Sequence, residues 1–310
     1  MDQRKYDKVL VTGSNGFVGK ALCQTLRDKD KNFVGSLREK TLGTKSQDFI
    51  IVESLDASTD WRKALDGCDT VVHLAARAHI LNDNIADPLA AFRQTNTQGT
   101  LNLAEQAAEC GVTRFIFLSS IGVNGAFTSG IPFSPDEVVS PHSPYAVSKY
   151  EAEIGLREIA SRTSMDLVVI RSPAIYGKNA PGNFGLIEKF IRYGIPLPFG
   201  SIDNKRSLVA IENIVSFIFE CIENQRAGNE LFLVSDNDDL STPEIVELMG
   251  NLIGKNPKTI KFPIKLLWSM FTLLGKRKAA VSLMVDLQLD VNRSLELLEW
   301  SPPFNPRMKE

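Results

Sequence analysis

Residues 8–22 read KVLVTGSNGFVGKAL, an apolar β-branched run followed by a glycine-rich turn and the start of a helical pattern. Gly13 permits the tight turn, Gly16 lets the backbone approach a pyrophosphate, and Gly19 lets the helix pack closely on the strand. The amides and the dipole at a helix N-terminus favour such an anion. The stretch therefore predicts a dinucleotide-binding unit. The other cofactor-binding residues predicted in this turn are Asn15, Phe17 and Val18.

Beyond this unit, short apolar runs alternate with amphipathic helical patterns. The runs lie at residues 8–12, 32–37, 49–52, 70–74, 114–118 and 167–170. Helical spacing covers residues 90–109 and 146–161. Near-continuous apolar strands separated by helices are typical of a parallel sheet covered on both faces. We expect an α/β fold, a Rossmann-type doubly wound parallel sheet with a smaller, mostly helical C-terminal substrate-binding region.

The alternation of apolar runs and helical patterns ends after residue 177, and proline and glycine are frequent in the residues that follow. The pattern predicts a dinucleotide-binding domain at residues 1–180, to which residues 205–235 return. Residues 181–204 and 236–310 are expected to form the substrate-binding region. The run at 230–234 is interpreted either as an edge strand of the main sheet or as the start of a small second sheet. Substrate is expected in the crevice between the two regions.

The composition excludes some classes of protein. The 310 residues carry 35 Lys and Arg against 37 Asp and Glu, a net charge of -2, without the basic excess that nucleic-acid binding requires. The four cysteines are scattered, which does not favour a disulfide framework. The N-terminal residues lack the apolar stretch of a signal peptide, and no run is long enough for a membrane span. We expect a cytoplasmic protein.

A second cluster of residues indicates proton chemistry. Tyr145 and Lys149 lie four residues apart at the start of a predicted helix, which places both on one helical face. A nearby cation favours a phenolate, so Lys149 is expected to lower the pKa of Tyr145. Ser120 ends the fifth predicted strand, at the edge where open α/β sheets bind ligands.

The G-x-x-G-x-x-G spacing, taken with Ser120, Tyr145 and Lys149 in this order, resembles the extended short-chain dehydrogenase/reductase superfamily. Within it, the chain is similar to the NAD-dependent epimerase/dehydratase family, along essentially its whole length. The resemblance implies hydride transfer between the nicotinamide C4 and a sugar carbon. Tyr145 would exchange the proton, Lys149 would bind the nicotinamide ribose, and Ser120 would orient the substrate oxygen. A homodimer is a further implication.

The resemblance also implies roles for residues outside the cluster. For the cofactor they are Asp56 at the adenine, Leu74, Ala75 and Ala76 beneath the dinucleotide, Asn96, and Pro173 near the nicotinamide. For a UDP-sugar substrate they are Ser120, Asn183, Phe184 and Arg206. His73 ends an apolar strand and is interpreted as a core histidine. His79 and His142 have no spacing partner, so no metal site is predicted.

The choice of cofactor depends on the end of the second predicted strand. An acidic residue there binds the ribose hydroxyls of NAD, whereas an arginine pairs with the 2′-phosphate of NADP. The chain has Leu37 and Arg38. Arg38 therefore favours NADP, although it can also be a solvated loop charge or stack on the adenine, and the prediction remains NAD or NADP.

Two departures from the family pattern bear on the reaction. Ile121 and Gly122 replace the Asp-Glu pair of the 4,6-dehydratases, which argues against dehydration. Asn124 stands where many 4-epimerases have tyrosine. The sequence most resembles a subgroup of reductases acting on UDP-4-keto-6-deoxy-N-acetylhexosamines for surface polysaccharide. The alternatives are a UDP-glucose or UDP-N-acetylglucosamine 4-epimerase with tightly bound NAD, another oxidation or reduction of a nucleotide sugar, and a non-catalytic NAD(P)-sensing protein.

The apolar residues 266–271 and the cations at 276–278 form one more pattern. We interpret them as a core-facing helix followed by a cationic C-terminal cap. Contact with a membrane surface is the alternative.

Overall fold

The computed structural model describes residues 8–39, 48–78, 86–305 and 307. Its strands are β1 (Val9–Thr12), β2 (Phe33–Leu37), β3 (Phe49–Ile51), β4 (Thr70–His73), β5 (Arg114–Ser120), β6 (Asp166–Ser172), β7 (Ile175–Tyr176), β8 (Val209–Ala210) and β9 (Leu231–Leu233). Within these described residues, seven strands form one parallel sheet in the order β3-β2-β1-β4-β5-β6-β9. Strands β7 and β8 pair separately.

Helices cover both faces of the sheet and build the C-terminal region. They are α1 (Phe17–Asp28), α2 (Arg62–Leu65), α3 (Pro88–Phe92), α4 (Gly99–Glu109), α5 (Pro144–Ser161), α6 (Asn183–Arg192), α7 (Ile211–Glu223), α8 (Thr242–Leu252), α9 (Ile264–Leu273), α10 (Arg277–Met284) and α11 (Asn292–Leu297). A π-helical segment, Arg93–Gln98, joins α3 to α4. No helix in the described part of the chain is both long and apolar enough to cross a membrane.

Strand β1 shows why the sheet is covered on both faces. Successive side chains of a strand point to opposite faces. Val9 and Val11 pack in the core formed with α1 and α7, whereas Leu10 packs in the core formed with α4 and α5. A strand buried on both faces cannot alternate with polar residues, which explains the continuous apolar runs.

The predicted sheet is confirmed. Each of the six apolar runs forms one of the strands β1 to β6, and all of them pair in parallel. The run at 230–234 contributes β9, which pairs with β6 at the sheet edge rather than starting a second sheet. The order turns at β1, which lies between β2 and β4. Such a switch point opens a crevice at the carboxyl ends of the strands.

The C-terminal region has its own apolar core, but helix α9 contributes little to it. Ile187 of α6 and Met249 of α8 belong to this core, as does Leu267 of α9. Most of α9 is exposed, and Leu273 reaches 87% exposure. The interpretation of residues 266–271 as a core-facing helix therefore holds for Leu267 and Phe271, which pack in this core, but not for Leu266 and Met270, which are about half exposed.

Candidate active site

The glycine turn lies between β1 and α1 at the centre of the sheet's carboxyl edge. Gly13 has a φ of +66°, and a Cβ there would lie 2.8 Å from the amide nitrogen of Ala75. Gly16 is the N-cap of α1 without a side-chain cap, and its amide donates to the Gly13 carbonyl at 2.9 Å. A Cβ on Gly19 would overlap that carbonyl oxygen. The compact turn and uncapped helix end fit a dinucleotide pyrophosphate.

The other turn residues differ in exposure. Asn15 is exposed, Phe17 is half-buried and Val18 is buried against the core. The hydroxyl of Ser14 donates to the carbonyl oxygen of Ser36 at 2.7 Å, which fastens the turn to β2. The predicted contacts of these residues with a cofactor remain predictions.

His73 lies in a chain of hydrogen bonds below this turn. Its Nδ1 lies 2.7 Å from the hydroxyl of Thr12, and its Nε2 lies 2.9 Å from the hydroxyl of Thr100. The amides of Leu74 and Ala75 both donate to the Thr12 oxygen at 3.2 Å. Burial lowers the pKa of His73 to about 3, so the ring is neutral. This is the core histidine that the sequence indicated, and it shapes the half-buried loop continuing to Ala76.

The structure brings Ser120 close to the start of α5. Ser120 ends β5, and its Oγ accepts a hydrogen bond from the amide of Gly122 at 3.1 Å. A Cβ at Gly122 would contact both that Oγ, at 3.3 Å, and the Cβ of Ala146, at 3.4 Å. Tyr145 immediately precedes Ala146 in the first turn of α5. The Ser120 hydroxyl therefore lies close to the first turn of α5, which carries Tyr145, and the Tyr145 ring packs edge-on against Phe92 with ring centroids 6.0 Å apart.

The pKa values of Lys149 and Tyr145 differ from the expectation that Lys149 lowers the pKa of Tyr145. Lys149 is 2% exposed, donates to the carbonyl oxygen of Leu118 at 2.7 Å, and lies 4.1 Å from the ring centroid of Phe117. Burial lowers its pKa to about 7, against an opposing effect of Glu153. Burial raises the pKa of the Tyr145 phenol to about 12. The expected lowering of the tyrosine pKa is wrong for this arrangement, because Lys149 bonds inward.

A buried ionic network that none of the sequence patterns predicted lies behind Ser120. Glu153 accepts hydrogen bonds from Arg171 at 3.0 and 2.7 Å and from the Ser119 hydroxyl at 2.5 Å. Arg171 also donates to Asn124 at 3.0 Å. Asn124 in turn donates to the Glu137 carboxylate at 2.8 Å. Glu153 follows Lys149 by four residues on α5, so helical spacing could have identified it.

Asn96 connects the loop after β4 to helix α5. It is 1% exposed, and its Nδ2 donates to the hydroxyl of Ser148 at 3.1 Å. Its amide group also forms hydrogen bonds with the Arg77 backbone, at 2.7 and 3.1 Å. Asn96 lies in the π-helical segment, a distortion that often occurs at functional sites. It thus supports the start of α5, where Tyr145 lies.

The residues predicted at the adenine and nicotinamide ends take different environments. Arg38 is exposed just beyond β2, whereas Leu37 is buried. Asp56 is half-exposed, and hydrogen bonds from Ser58 lower the pKa of its carboxyl. Pro173 is buried directly after β6. His79 lies outside the described residues.

Two of the predicted substrate residues, Arg206 and Asn183, contact the end of α10. Arg206 is 9% exposed and donates to the carbonyl oxygen of Val285 at 2.8 Å, while Asn183 donates to the Ser282 hydroxyl at 3.4 Å. Burial lowers the pKa of Arg206 to about 10. Phe184 packs edge-on against a core tyrosine, with ring centroids 6.3 Å apart. Arg206 and Asn183 are thus neighbours across α10, whereas Phe184 points into apolar packing.

Comparison with known proteins gives three kinds of match. A family model described as "NAD dependent epimerase/dehydratase family" matches residues 9–234. The chain is 41% identical over 304 residues to a UDP-glucose 4-epimerase of Vibrio cholerae, covering 97% of this chain and 93% of the relative. It is 32% identical over 291 residues to the N-acetyl-alpha-D-glucosaminyl-diphospho-ditrans,octacis-undecaprenol 4-epimerase of Escherichia coli O157:H7, covering 89% and 83%.

A solved structure has the same fold. The UDP-glucuronic acid 4-epimerase from Bacillus cereus, in complex with NAD, superposes with a TM-score of 0.75. The identity is 22%, and the match covers 96% of this chain and 94% of that chain.

Proposed function

The chain belongs to the NAD-dependent epimerase/dehydratase family, and we propose that it catalyses hydride transfer at C4 of a sugar carried on a diphosphate. The observation that carries the proposal is the closeness of the Ser120 hydroxyl to the first turn of α5, where Tyr145 lies, at the sheet edge that also holds the glycine turn. A nicotinamide cofactor, when bound, supplies or accepts the hydride. The compact turn around Gly13 would hold its pyrophosphate.

The protein's own side chains would transfer the proton and stabilise the charge that develops on the sugar O4. A phenol with a pKa of about 12 keeps its proton at neutral pH, so Tyr145 is ready to donate it to the sugar O4 as a carbonyl is reduced. The Ser120 hydroxyl would donate a hydrogen bond to the same oxygen and stabilise its developing charge. Lys149, when protonated, adds positive potential beneath the site. In the oxidising direction Tyr145 would first have to lose its own proton, and the phenolate would then accept the proton of the sugar hydroxyl.

The diphosphate is proposed to lie against Arg206 and Asn183. A buried guanidinium is suited to a bidentate contact with phosphate oxygens. We propose UDP as the carrier, in keeping with the Vibrio cholerae relative's name. A polyprenyl carrier is the alternative, because the Escherichia coli relative is named for an undecaprenol-linked sugar.

Reduction of a UDP-4-keto-6-deoxy-N-acetylhexosamine is the first candidate reaction. Arg38 is exposed at the end of β2 and Leu37 is buried, so Arg38 is the described side chain able to meet a ribose 2′-phosphate there. This supports NADPH, which a reductase must exchange at every turnover. Ile121 and Gly122 supply no acid or base for dehydration.

Epimerisation at C4 is the second candidate, favoured by the name of the 41% identical relative. In this reaction Tyr145, as a phenolate, would take the O4 proton while a bound nicotinamide would accept the C4 hydride, and both would be returned after a turn of the sugar. Such an enzyme holds NAD tightly and needs no added cofactor. The site geometry fits both reactions. Whether the enzyme exchanges its cofactor at every turnover therefore distinguishes the reductase from the epimerase.

One assay separates the candidates. The purified protein is mixed with UDP-4-keto-6-deoxy-GlcNAc and NADPH or NADH, and the absorbance of the reduced nicotinamide is followed. Loss of one reduced cofactor per sugar reduced supports the reductase. Conversion between UDP-GlcNAc and UDP-GalNAc without added cofactor, together with no oxidation in the first assay, supports the epimerase. Inactivity in both, with intact cofactor binding, would point to the NAD(P)-sensing alternative and contradict the proposal.

Which parts of the chain bind the cofactor and which bind the substrate is also a proposal, as is the oligomeric state. Residues 1–180 with 205–235 would bind the cofactor, and residues 181–204 with 236–310 would close over the sugar diphosphate. A homodimer through α4 and α5 is supported by the half-exposed Ile154 on α5. Sedimentation of the protein with an Ile154→Asp variant tests it. The proposal expects a dimer that the variant weakens, and a monomeric wild type would contradict it.

A further inference from the structure

We propose that residues 255–278, here called the cationic cap, dock onto the surface of an anionic lipid bilayer. Helix α9 would lie in the plane of the headgroups. The inference goes beyond the proposed reaction and does not depend on which sugar the enzyme takes. It rests on the exposed apolar face of α9 and on the charge that surrounds it.

The apolar part of the cap is a face of α9 that is half to largely exposed. Leu266, Met270 and Leu273 follow each other at intervals of four and three residues, so they share one side of the helix. They are 51%, 44% and 87% exposed. Leu274 continues the face at 71% exposure. Contiguous exposed leucines of this kind usually mark an interaction surface.

The inward stripe of α9 is narrow. Leu267 is 3% exposed, and Phe271, one turn later, packs partly buried against the same core. These two residues hold the helix on the molecule, while the leucine face lies to one side of them. The helix therefore has more apolar surface than its own core can cover, as helices at membrane interfaces do.

The charge of the cap is of one sign. Between Glu247 and Asp286 the sequence has seven cations and no acidic residue: Lys255, Lys258, Lys261, Lys265, Lys276, Arg277 and Lys278. All seven are exposed. The whole chain has a net charge of -2, so removing +7 leaves -9 on the rest. The charge is thus strongly polarised, and its positive pole coincides with the leucine face.

The fold itself does not account for these cations. No ion pair within the described part of the chain involves any of the seven. Arg277 and Lys278 lie in the first turn of α10, where the helix dipole disfavours positive charge. The same cations suit the C-terminus of α9, so their net effect on helix stability is small. An external anionic surface would give these cations a favourable electrostatic interaction.

Charge complementarity selects the occupant. Two copies of the cap would bring like charges together, which opposes a dimer through this face. An anionic bilayer offers both requirements at once, acyl chains for the leucines and headgroups for the lysines. Arg277 begins α10, about 8 to 12 Å along the helix axis from residues 282–285, which contact Asn183 and Arg206. Docking would therefore hold the proposed diphosphate site near the bilayer.

The test is flotation of the purified full-length protein with vesicles. One set is phosphatidylcholine alone, and the other is equal parts of phosphatidylglycerol and phosphatidylcholine. The account predicts binding to the anionic set that weakens with added salt. Lys276→Gln/Arg277→Gln/Lys278→Gln should weaken partitioning about 100-fold, since each cation near such a surface contributes about 5-fold. Leu266→Ser/Leu273→Ser should also weaken it.

A matched control removes the same charge elsewhere. Arg62, Lys63 and Arg226 are exposed and lie outside the cap, and their replacement by glutamine should leave vesicle binding within about 2-fold. Trp268 gives a second readout, because it is half-buried on α9 whereas Trp61 and Trp300 are 2% and 7% exposed. Its fluorescence should shift to shorter wavelength on anionic vesicles. Turnover of a soluble UDP-sugar should not change in the cap variants, which separates this proposal from the catalytic one.

Several outcomes overturn the proposal. They are no binding of the wild type to anionic vesicles, equal loss in the control variant, or binding unaffected by both sets of cap substitutions. A wild type that ignores vesicles but self-associates, with association lost in Leu266→Ser/Leu273→Ser, would show that a second copy covers the face. Binding to an acidic protein but not to vesicles would also contradict a bilayer partner.

Discussion

Arg171 and Arg206 are both buried arginines, yet their surroundings differ. Arg171, at the end of β6, forms a two-point ion pair with Glu153 and a further hydrogen bond with Asn124. Arg206, on the substrate side, donates to the carbonyl oxygen of Val285 and has a longer-range attraction to Asp286. Burial lowers the pKa of Arg206 to about 10.

The difference indicates two roles for one residue type. A buried cation with a bonded carboxylate has its charge neutralised inside the protein, so it holds elements together. A buried cation bonded mainly to a neutral carbonyl retains a desolvation cost that an anionic ligand can offset. We therefore assign Arg171 to the architecture behind Ser120 and Arg206 to the sugar diphosphate.

The largest expected effect is on turnover, at the Tyr145 phenol. Tyr145→Phe removes the proposed proton donor but no observed side-chain hydrogen bond, so kcat should fall about 100- to 10,000-fold while the melting temperature barely changes. Steady-state kinetics and thermal unfolding measure both. Turnover within a few-fold of the wild type would show that the proton comes from elsewhere.

Breaking the internal ion pair should cost stability. Arg171→Met leaves Glu153 buried without its main partner, and the free energy of unfolding should fall by about 3–5 kcal/mol. Denaturant unfolding measures it. The double variant Glu153→Leu/Arg171→Met is the control and should recover much of the loss, because no unpaired charge remains. If the single variant is as stable as the wild type, the network does not have the assigned role.

Replacing Arg206 should weaken substrate binding rather than lower stability, in contrast to replacing Arg171. Arg206→Gln removes a cation from the proposed diphosphate contact, so KM for the sugar diphosphate should rise about 10- to 100-fold. Its free energy of unfolding should stay level or increase, because a buried charge has been removed. Arg206→Lys should restore part of the affinity. An unchanged KM with a large loss of stability would place Arg206 in the same class as Arg171.

The smallest effect is expected at Arg38, which is exposed at the end of β2. An exposed charge pair contributes about 1 kcal/mol or less. Arg38→Ala should therefore lower the preference for NADPH over NADH by about 5-fold, seen in the ratio of kcat/KM for the two cofactors. Lys63→Ala, on α2, is the control. An equal preference in wild type and variant would contradict a 2′-phosphate contact.

The sequence allowed prediction of the sheet and of the turn because both depend on local patterns. A strand buried on two faces needs a continuous apolar run, and the close approach of Ala75 to Gly13 requires glycine. The Glu153–Arg171 pair joins a helix to a strand, so only their packing shows the contact. The direction of Lys149 likewise depends on the carbonyl of Leu118, which no spacing rule identifies.

Helix α9 shows a second reason why some of the structure could not be predicted from the sequence. Its apolar spacing suits a helix that faces a core and equally one that faces a membrane. The sequence therefore could not decide between the two interpretations. The exposure of Leu273 and the single-signed charge around it indicate that most of the apolar surface points outward.

The most direct test of the central claim follows the hydride itself. The protein is supplied with UDP-4-keto-6-deoxy-GlcNAc and NADPH carrying deuterium at both C4 positions of the nicotinamide, and the sugar product is examined by mass spectrometry and NMR. The account predicts one deuterium, located at C4 of the sugar, formed by the wild type and nearly absent with Tyr145→Phe. A reduced product without deuterium at C4, or equal labelling by the variant, would contradict it.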